Sequence, residues 1–154
     1  MQENYELVQK GFRILHPLMA AYIVKEMNRV YHNGWWRQVL MTLSDQSRDL
    51  PDNGDYAELI DSLDIANCIR LIDREWGNVF RTKLSIDYRT WAKELMGVRN
   101  NTAHIGQQDL SNSYAERAID TMVLLSEAFE DPEGTEELRA LYRTARYGSA
   151  DGST

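Results

Sequence analysis

Three side chains near residue 100 have the chemistry to handle a phosphodiester: Arg99, Asn100 and His104. Arginine presents a planar fork of donors that suits phosphate. Histidine titrates near neutral pH and can take a proton from a reacting oxygen or give one back. Asn100 and His104 are four residues apart and so neighbours on one helix face, where the amide can orient the imidazole. Arg99 and His104 point about 140° apart on an ideal helix. The reach of arginine, or a loosening of the helix near Gly106, closes that angle. Lys93 and Asn101 extend the set as candidate substrate-binding residues. One such cluster is half of a site for cutting RNA, and two copies across a twofold axis would supply a base, an acid and two cations.

The element that positions them reads as one helix, in which Trp91, Leu95, Val98 and Thr102 recur at the steps of a buried stripe. Lys93, Gly97, Asn100 and His104 recur at the same steps on a face roughly 120–160° away. That face is not needed for packing within the chain, and Gly97 is small enough to let a ligand or another backbone come close. Ser85 is the expected N-cap, Asp87 suits the first turn, and Gly106 offers a stop. The rest of the chain is expected to be organised around this helix.

The remaining helices follow from periodicity. Residues Asn4 to Tyr31 carry a stripe of Val8, Phe12, Leu15, Met19, Tyr22 or Ile23, Met27 and Val30, with Pro17 expected to kink or split the helix after His16. His32-Asn33-Gly34 is a stop. His16 and His32, isolated from other ligand-type residues, read as surface or cap histidines. Trp35 to Leu43 is a short helix in which one tryptophan is expected in the core and its neighbour at an edge or interface. Ser44 to Asp55 is a loop, and helices resume near Tyr56. Asp61-Ser62-Leu63-Asp64 caps a helix from Ile65 to about Asp73, and Trp76, Val79 and Phe80 add an apolar turn. After a polar loop, Ser113 or Asn112 caps a helix through Tyr114, Ala118, Met122, Leu125 and Phe129. Asp131 to Gly134 reads as a turn and Thr135 to Arg146 as the last helix, docking through Leu138 and Leu141. The expected architecture is all-α, a bundle of four or five main helices. Residues 1–147 form one domain, and 148–154 are a flexible tail or the start of a linker to further domains.

Composition narrows the function classes. With 154 residues the chain can bury one sizeable core. The lone Cys68 can form no internal disulfide and sits among Ile65, Ala66, Ile69 and Ile72 as a small core residue. No apolar run is long enough to span a membrane and the first residues lack a signal-peptide pattern, so a cytoplasmic protein is expected. A net charge of −7 argues against a bulk nucleic-acid coat protein. Between Arg70 and Arg99, however, seven basic residues face four acidic ones, a local patch that can meet phosphates. Three scattered histidines and one cysteine show no metal-ligand spacing, and no cofactor is expected.

Arg-polar-x-x-x-His near a helix end in a small all-α chain resembles the HEPN superfamily. Trp35-Trp36, Asp61-Ser62-Leu63-Asp64, Leu71-Ile72-Asp73-Arg74-Glu75-Trp76, Val79-Phe80, Trp91-Ala92-Lys93-Glu94-Leu95 and Val98-Arg99-Asn100 with Ala103-His104 resemble one branch of it. That branch occurs at the N-terminus of large bacterial ATPases or helicases, some linked to phage defence, and at the C-terminus of a eukaryotic nuclear RNA-surveillance endonuclease. The resemblance spans about residues 5–145. It implies a metal-independent endoribonuclease that acts as a homodimer on single-stranded RNA, in phage defence or RNA surveillance, with further ATPase or helicase domains in the same chain or operon. Arg99 and His104 would be the catalytic pair, and Asn100 the polar residue beside them. The RNA 2′-hydroxyl would attack, His104 would move protons, Arg99 would stabilise the phosphorane, and the products would be a 2′,3′-cyclic phosphate and a 5′-hydroxyl.

Two other readings stay open. One is a non-catalytic HEPN module that dimerises or recruits a larger ATPase. The other is a plain structural helical domain in which Arg99 pairs with Glu94 or Asp87 and the histidine caps carbonyls. Two copies that place their Lys93-Gly97-Asn100-His104 faces opposite each other around an open cleft would favour catalysis, and a face covered by the chain itself would disfavour it.

Overall fold

The computed structural model describes residues 3–46, 49–103 and 108–148, and every regular element among them is helical. Helix α1 spans Glu3–Tyr31, α2 Trp35–Thr42, α3 Tyr56–Asp61, α4 Ile65–Arg74, α5 Ile86–Ala103, α6 Asn112–Ser126 and α7 Pro132–Tyr147. A 3-10 turn, His32–Gly34, joins α1 to α2; a π-helical turn, Trp76–Phe80, follows α4; and a second 3-10 turn, Glu127–Phe129, follows α6. The fold is an all-α bundle of five main helices with α2 and α3 as short additions. None of the described helices is long and apolar enough to cross a membrane.

The central element is α1, which packs against α4, α6 and α7, whereas α5 packs mainly against α4 and α6. The predicted organising helix is thus a flank of the bundle. In α1, Val8, Leu15, Met19, Ile23 and Met27 are wholly buried, and both Tyr22 and Ile23 face inward. The helix runs unbroken through Pro17, so of the expected kink or split the split does not occur. An internal proline costs about 3 kcal/mol. Each large apolar side chain buried on either side returns about 1.5–3 kcal/mol, so continuity wins. The stop at its end is made by His32, whose φ of 54° is left-handed. His16 sits against the carbonyl oxygen of Leu63 at 2.6 Å, a capping role at the α3–α4 turn.

Both tryptophans of the pair enter the core, correcting the expectation of one inside and one outside. Trp35 and Trp36 meet edge to face at 5.5 Å. Trp36 donates its indole N–H to the Pro51 carbonyl at 2.9 Å, and Trp35 packs on Tyr56, so the 49–56 segment closes over what α2 alone would expose. Other helix starts also differ from expectation. Ser111, not Asn112 or Ser113, caps α6. The Asp131–Gly134 stretch is the first turn of α7, with Asp131 as cap and Pro132 at the first helical position, where its missing N–H costs nothing. The caps Asp55 and Asp64 accept from the backbone N–H groups of Glu58 and Asn67, as acidic N-caps do. Cys68 is fully buried, and burial pushes its thiol up, which suits a core residue and not a nucleophile.

Buried Glu75, at the end of α4, accepts hydrogen bonds from Tyr31 (2.6 Å), Gln38 (3.0 Å) and the Thr42 hydroxyl, fastening α1 and α2 to this corner. Burial first, and then the Glu75 contact, pushes the Tyr31 phenol up to about 12.

Candidate functional site

Helix α5 is held from both sides. Toward α6, Glu94 accepts from Arg117 at 2.8 and 3.0 Å and from the Thr121 hydroxyl. The Arg117 bond, against opposing burial, holds the Glu94 carboxyl below its usual range. Toward α4, Asp73 meets Arg89 at 2.8 Å and Lys93 at 3.6 Å. These pairs fix the rotation of α5 about its axis, and that rotation decides which side chains reach solvent.

Along α5, Ala92, Leu95, Val98 and Thr102 are buried. Trp91 is only half-buried at the rim of the core, edge-on to Tyr88 at 5.3 Å, and Ala92 takes the inner place. Lys93, Gly97, Asn100 and Asn101 are exposed. A Cβ added at Gly97 would meet nothing within 4 Å. Beside it runs an open groove of 420 Å³ between α5 and α6, lined by Glu94, Gly97, Val98, Tyr114, Arg117 and Ala118.

Arg99 stands on the flank between the buried stripe and this open face, as its position about 80° around the helix from Trp91 requires. It is half-buried and lines a second, smaller groove of 180 Å³ together with Tyr5, Gln9, Phe12, Ile65 and Ala103. Its guanidinium donates to Asn100 Oδ1 at 3.2 Å, so the two candidate residues are in contact. Among the described residues it faces no carboxylate. Glu94, one suggested partner, is taken by α6. The Lys93 ammonium, 60 % exposed, shares Asp73 with Arg89 at a distance that leaves it available. His104 follows directly on Ala103 and lies outside the described residues, as do Ile105, Gly106 and Gln107.

The basic stretch divides in the same way. Arg74 is paired with Asp45 at 2.6 Å and Arg89 with Asp73, whereas Arg81, Lys83 and Arg99 have no ion-pair partner among the described residues. Periodicity in α5 gave no sign of Asp109. Its carboxylate accepts from the backbone N–H groups of Asn4 (2.9 Å), Tyr5 (2.8 Å) and Leu110 (2.8 Å). Asn4 in turn donates its side-chain amide to the Leu110 carbonyl at 2.9 Å and to Asn112 Oδ1 at 2.7 Å. The first turn of α1 is thereby clamped to the chain that follows α5, which places Tyr5 beside Arg99. Only a residue pairing across more than 100 positions could have revealed this, and a single sequence carries no such signal.

No curated protein and no solved structure gave a match. A family model described as Swt1-like HEPN matches residues 10–130. The match covers most of the chain and includes Arg99, the open face of α5 and the tryptophan pair. The all-α bundle, the exposed polar face and this match agree, and the chain belongs to the Swt1-like HEPN family.

Proposed function

We propose that the chain is a metal-independent endoribonuclease that works as a homodimer on single-stranded RNA. The observation that carries this reading is the state of Arg99: a guanidinium at the mouth of a groove, in contact with Asn100 and opposed by no carboxylate among the described residues. Arg74 and Arg117 are spent on carboxylates, and Arg81 is as unpaired among the described residues as Arg99, but Arg99 also lines a groove and touches Asn100. Arg99 is left for an anion brought from outside.

In the proposed reaction His104 takes the proton of the RNA 2′-hydroxyl as that oxygen attacks phosphorus. The bond from phosphorus to the 5′ oxygen breaks, and the leaving oxygen takes a proton from the second copy's imidazole. Arg99 stabilises the charge on the pentacoordinate phosphorus, and Asn100 orients the two cationic groups. Lys93 and Asn101 contact the flanking backbone. Because the faces of two copies must meet, the open groove beside Gly97 is the place for the partner chain to approach. A second reading, a non-catalytic dimerisation or recruitment module for a larger ATPase, is favoured by the net charge of −7, which works against a long RNA footprint.

The test is cleavage of a single-stranded RNA by the wild type, His104→Ala and Arg99→Ala at known oligomeric state, with end-group analysis. The expected result is 2′,3′-cyclic phosphate and 5′-hydroxyl ends from the wild type and none from either variant. Equal cleavage by all three proteins removes the catalytic assignment, and a dimer that cleaves nothing selects the recruitment reading.

A further inference from the structure

We propose that the small groove between the first turns of α1 and the end of α5 is a subsite for one nucleobase of the RNA, read by Gln9 and stacked against Tyr5. The inference rests on the ribonuclease reading for its ligand, but its geometry is independent of His104. At 180 Å³ the groove is smaller than the ~300–1,000 Å³ of a pocket for a drug-sized ligand. It holds a single ring system.

The lining fits a base better than any other small group. Gln9 is half-buried, and its side-chain amide has no hydrogen-bond partner among the described residues. An amide carries donors and an acceptor side by side, the pattern that matches the edge of a base and that a lone carboxylate or phosphate cannot satisfy. Tyr5, half-buried, and Phe12, nearly buried, supply aromatic walls, and Ile65 adds an apolar one. Exposed single-stranded bases are recognised by this combination of stacking and edge contacts. Arg99 is the only cation among the described residues of the lining, and one cation suits a neutral ring joined to one phosphate better than a polyanion.

The subsite is also preformed. The Tyr5 backbone hangs from Asp109 at 2.8 Å, and the Thr102 hydroxyl is turned back to the Arg99 carbonyl at 3.1 Å, which pins the last turn of α5. Since Arg99 belongs both to this groove and to the Asn100 cluster, the base bound here is that of a nucleotide adjoining the phosphate that Arg99 grips. Gln9 is therefore a specificity-determining residue, and the enzyme cuts beside a preferred base.

The experiment is a backbone and side-chain amide NMR titration of the intact chain with each of the four ribonucleoside 5′-monophosphates and with a short mixed-sequence single-stranded RNA, using wild type, Gln9→Met and His104→Ala. Methionine keeps the length and helix preference of glutamine, and a thermal melt verifies its fold. Shifts at the Gln9 amide and Tyr5, with one nucleotide preferred by about tenfold, are expected. The preference should vanish in Gln9→Met and persist in His104→Ala. RNA that shifts Lys93 and Asn100 but leaves Tyr5 and Gln9 unmoved overturns the subsite while the ribonuclease reading stands. Base-selective shifts at Gln9 in a protein that cleaves no RNA leave the subsite standing and overturn the ribonuclease.

Discussion

Asp109 acts as an N-cap for a helix more than a hundred residues away, and removing it has a calculable effect. An α-helix leaves its first four N–H groups without partners inside the helix. In α1, which begins at Glu3, two of them, on Asn4 and Tyr5, donate to the two oxygens of Asp109, at 2.9 and 2.8 Å. Losing an N-cap costs about 0.5–2 kcal/mol. Losing a negative charge from a helix N-terminus costs about 0.3–1 kcal/mol more. The site is partly exposed, so Asp109→Ala should cost about 2 kcal/mol in all, or roughly 4–8 °C in Tm for a chain of this size. Asp109→Asn keeps one acceptor oxygen for Tyr5 and Leu110 but turns an amide N–H₂ toward the Asn4 N–H, and should lose about half as much.

The pH dependence gives the sharper assay. Burial pushes the Asp109 carboxyl up, but the N–H donors of Asn4, Tyr5 and Leu110 together outweigh it and hold the group below its usual range. A carboxyl depressed on folding contributes its stability in full above the unfolded value, about 3.9, and loses it as pH falls toward the folded value. The Tm gap between wild type and Asp109→Ala should be widest at pH 7 and narrow steadily below about pH 4. Thermal unfolding followed by circular dichroism at pH 7, 5 and 3 reads this directly. Other paired carboxyls, Glu94 among them, lower both proteins alike in acid, so the difference isolates Asp109. Equal melting at pH 7, or a gap of the same size at pH 3, would refute the clamp.

Gly97→Ala should raise the melting temperature of the dilute chain, by about 0.5–1 kcal/mol of helix preference, because nothing lies within 4 Å of the added methyl group. If a second copy's backbone seats on this face, the same variant weakens dimerisation and RNA cleavage together, as sedimentation and the cleavage assay would report. Trp91→Ala should cost about 2 kcal/mol, not the 3–5 kcal/mol of a wholly buried tryptophan, because its ring lies half out of the core; a larger loss in chemical denaturation would place the indole deeper than the structure has it.

What the sequence made legible was whatever one helix decides alone. The α5 stripe of Leu95, Val98 and Thr102 faces inward and Lys93, Gly97 and Asn100 face out, because 100° per residue is a property of the helix and not of its neighbours. The acidic cap Asp64 was readable for the same reason: an N-cap bonds a backbone group three residues on. The misreading of the tryptophan pair needed a second segment: Trp36 is inside because Pro51 accepts its N–H. The Asp131–Gly134 misreading was local, because a turn and the capped first turn of a helix draw on the same residue types, and here Asp131 caps a helix that Pro132 opens.

The candidate site divides along the same line. Its composition, Arg99 beside Asn100 on an outward flank, follows from spacing. Its setting does not, because the groove that Arg99 lines is completed by Tyr5 and Gln9 from the far end of the chain, held there by Asp109. That asymmetry separates the two functions. In the proposed reaction the residues on α5 itself meet the phosphate, a group common to every RNA, and so their pattern would be recognisable in any chain that grips phosphate. The residues that would tell one base from another sit on α1, where their role depends on a clamp that only the folded chain assembles. Variants on α5 should therefore change whether RNA is cut, and variants at Gln9 should change where.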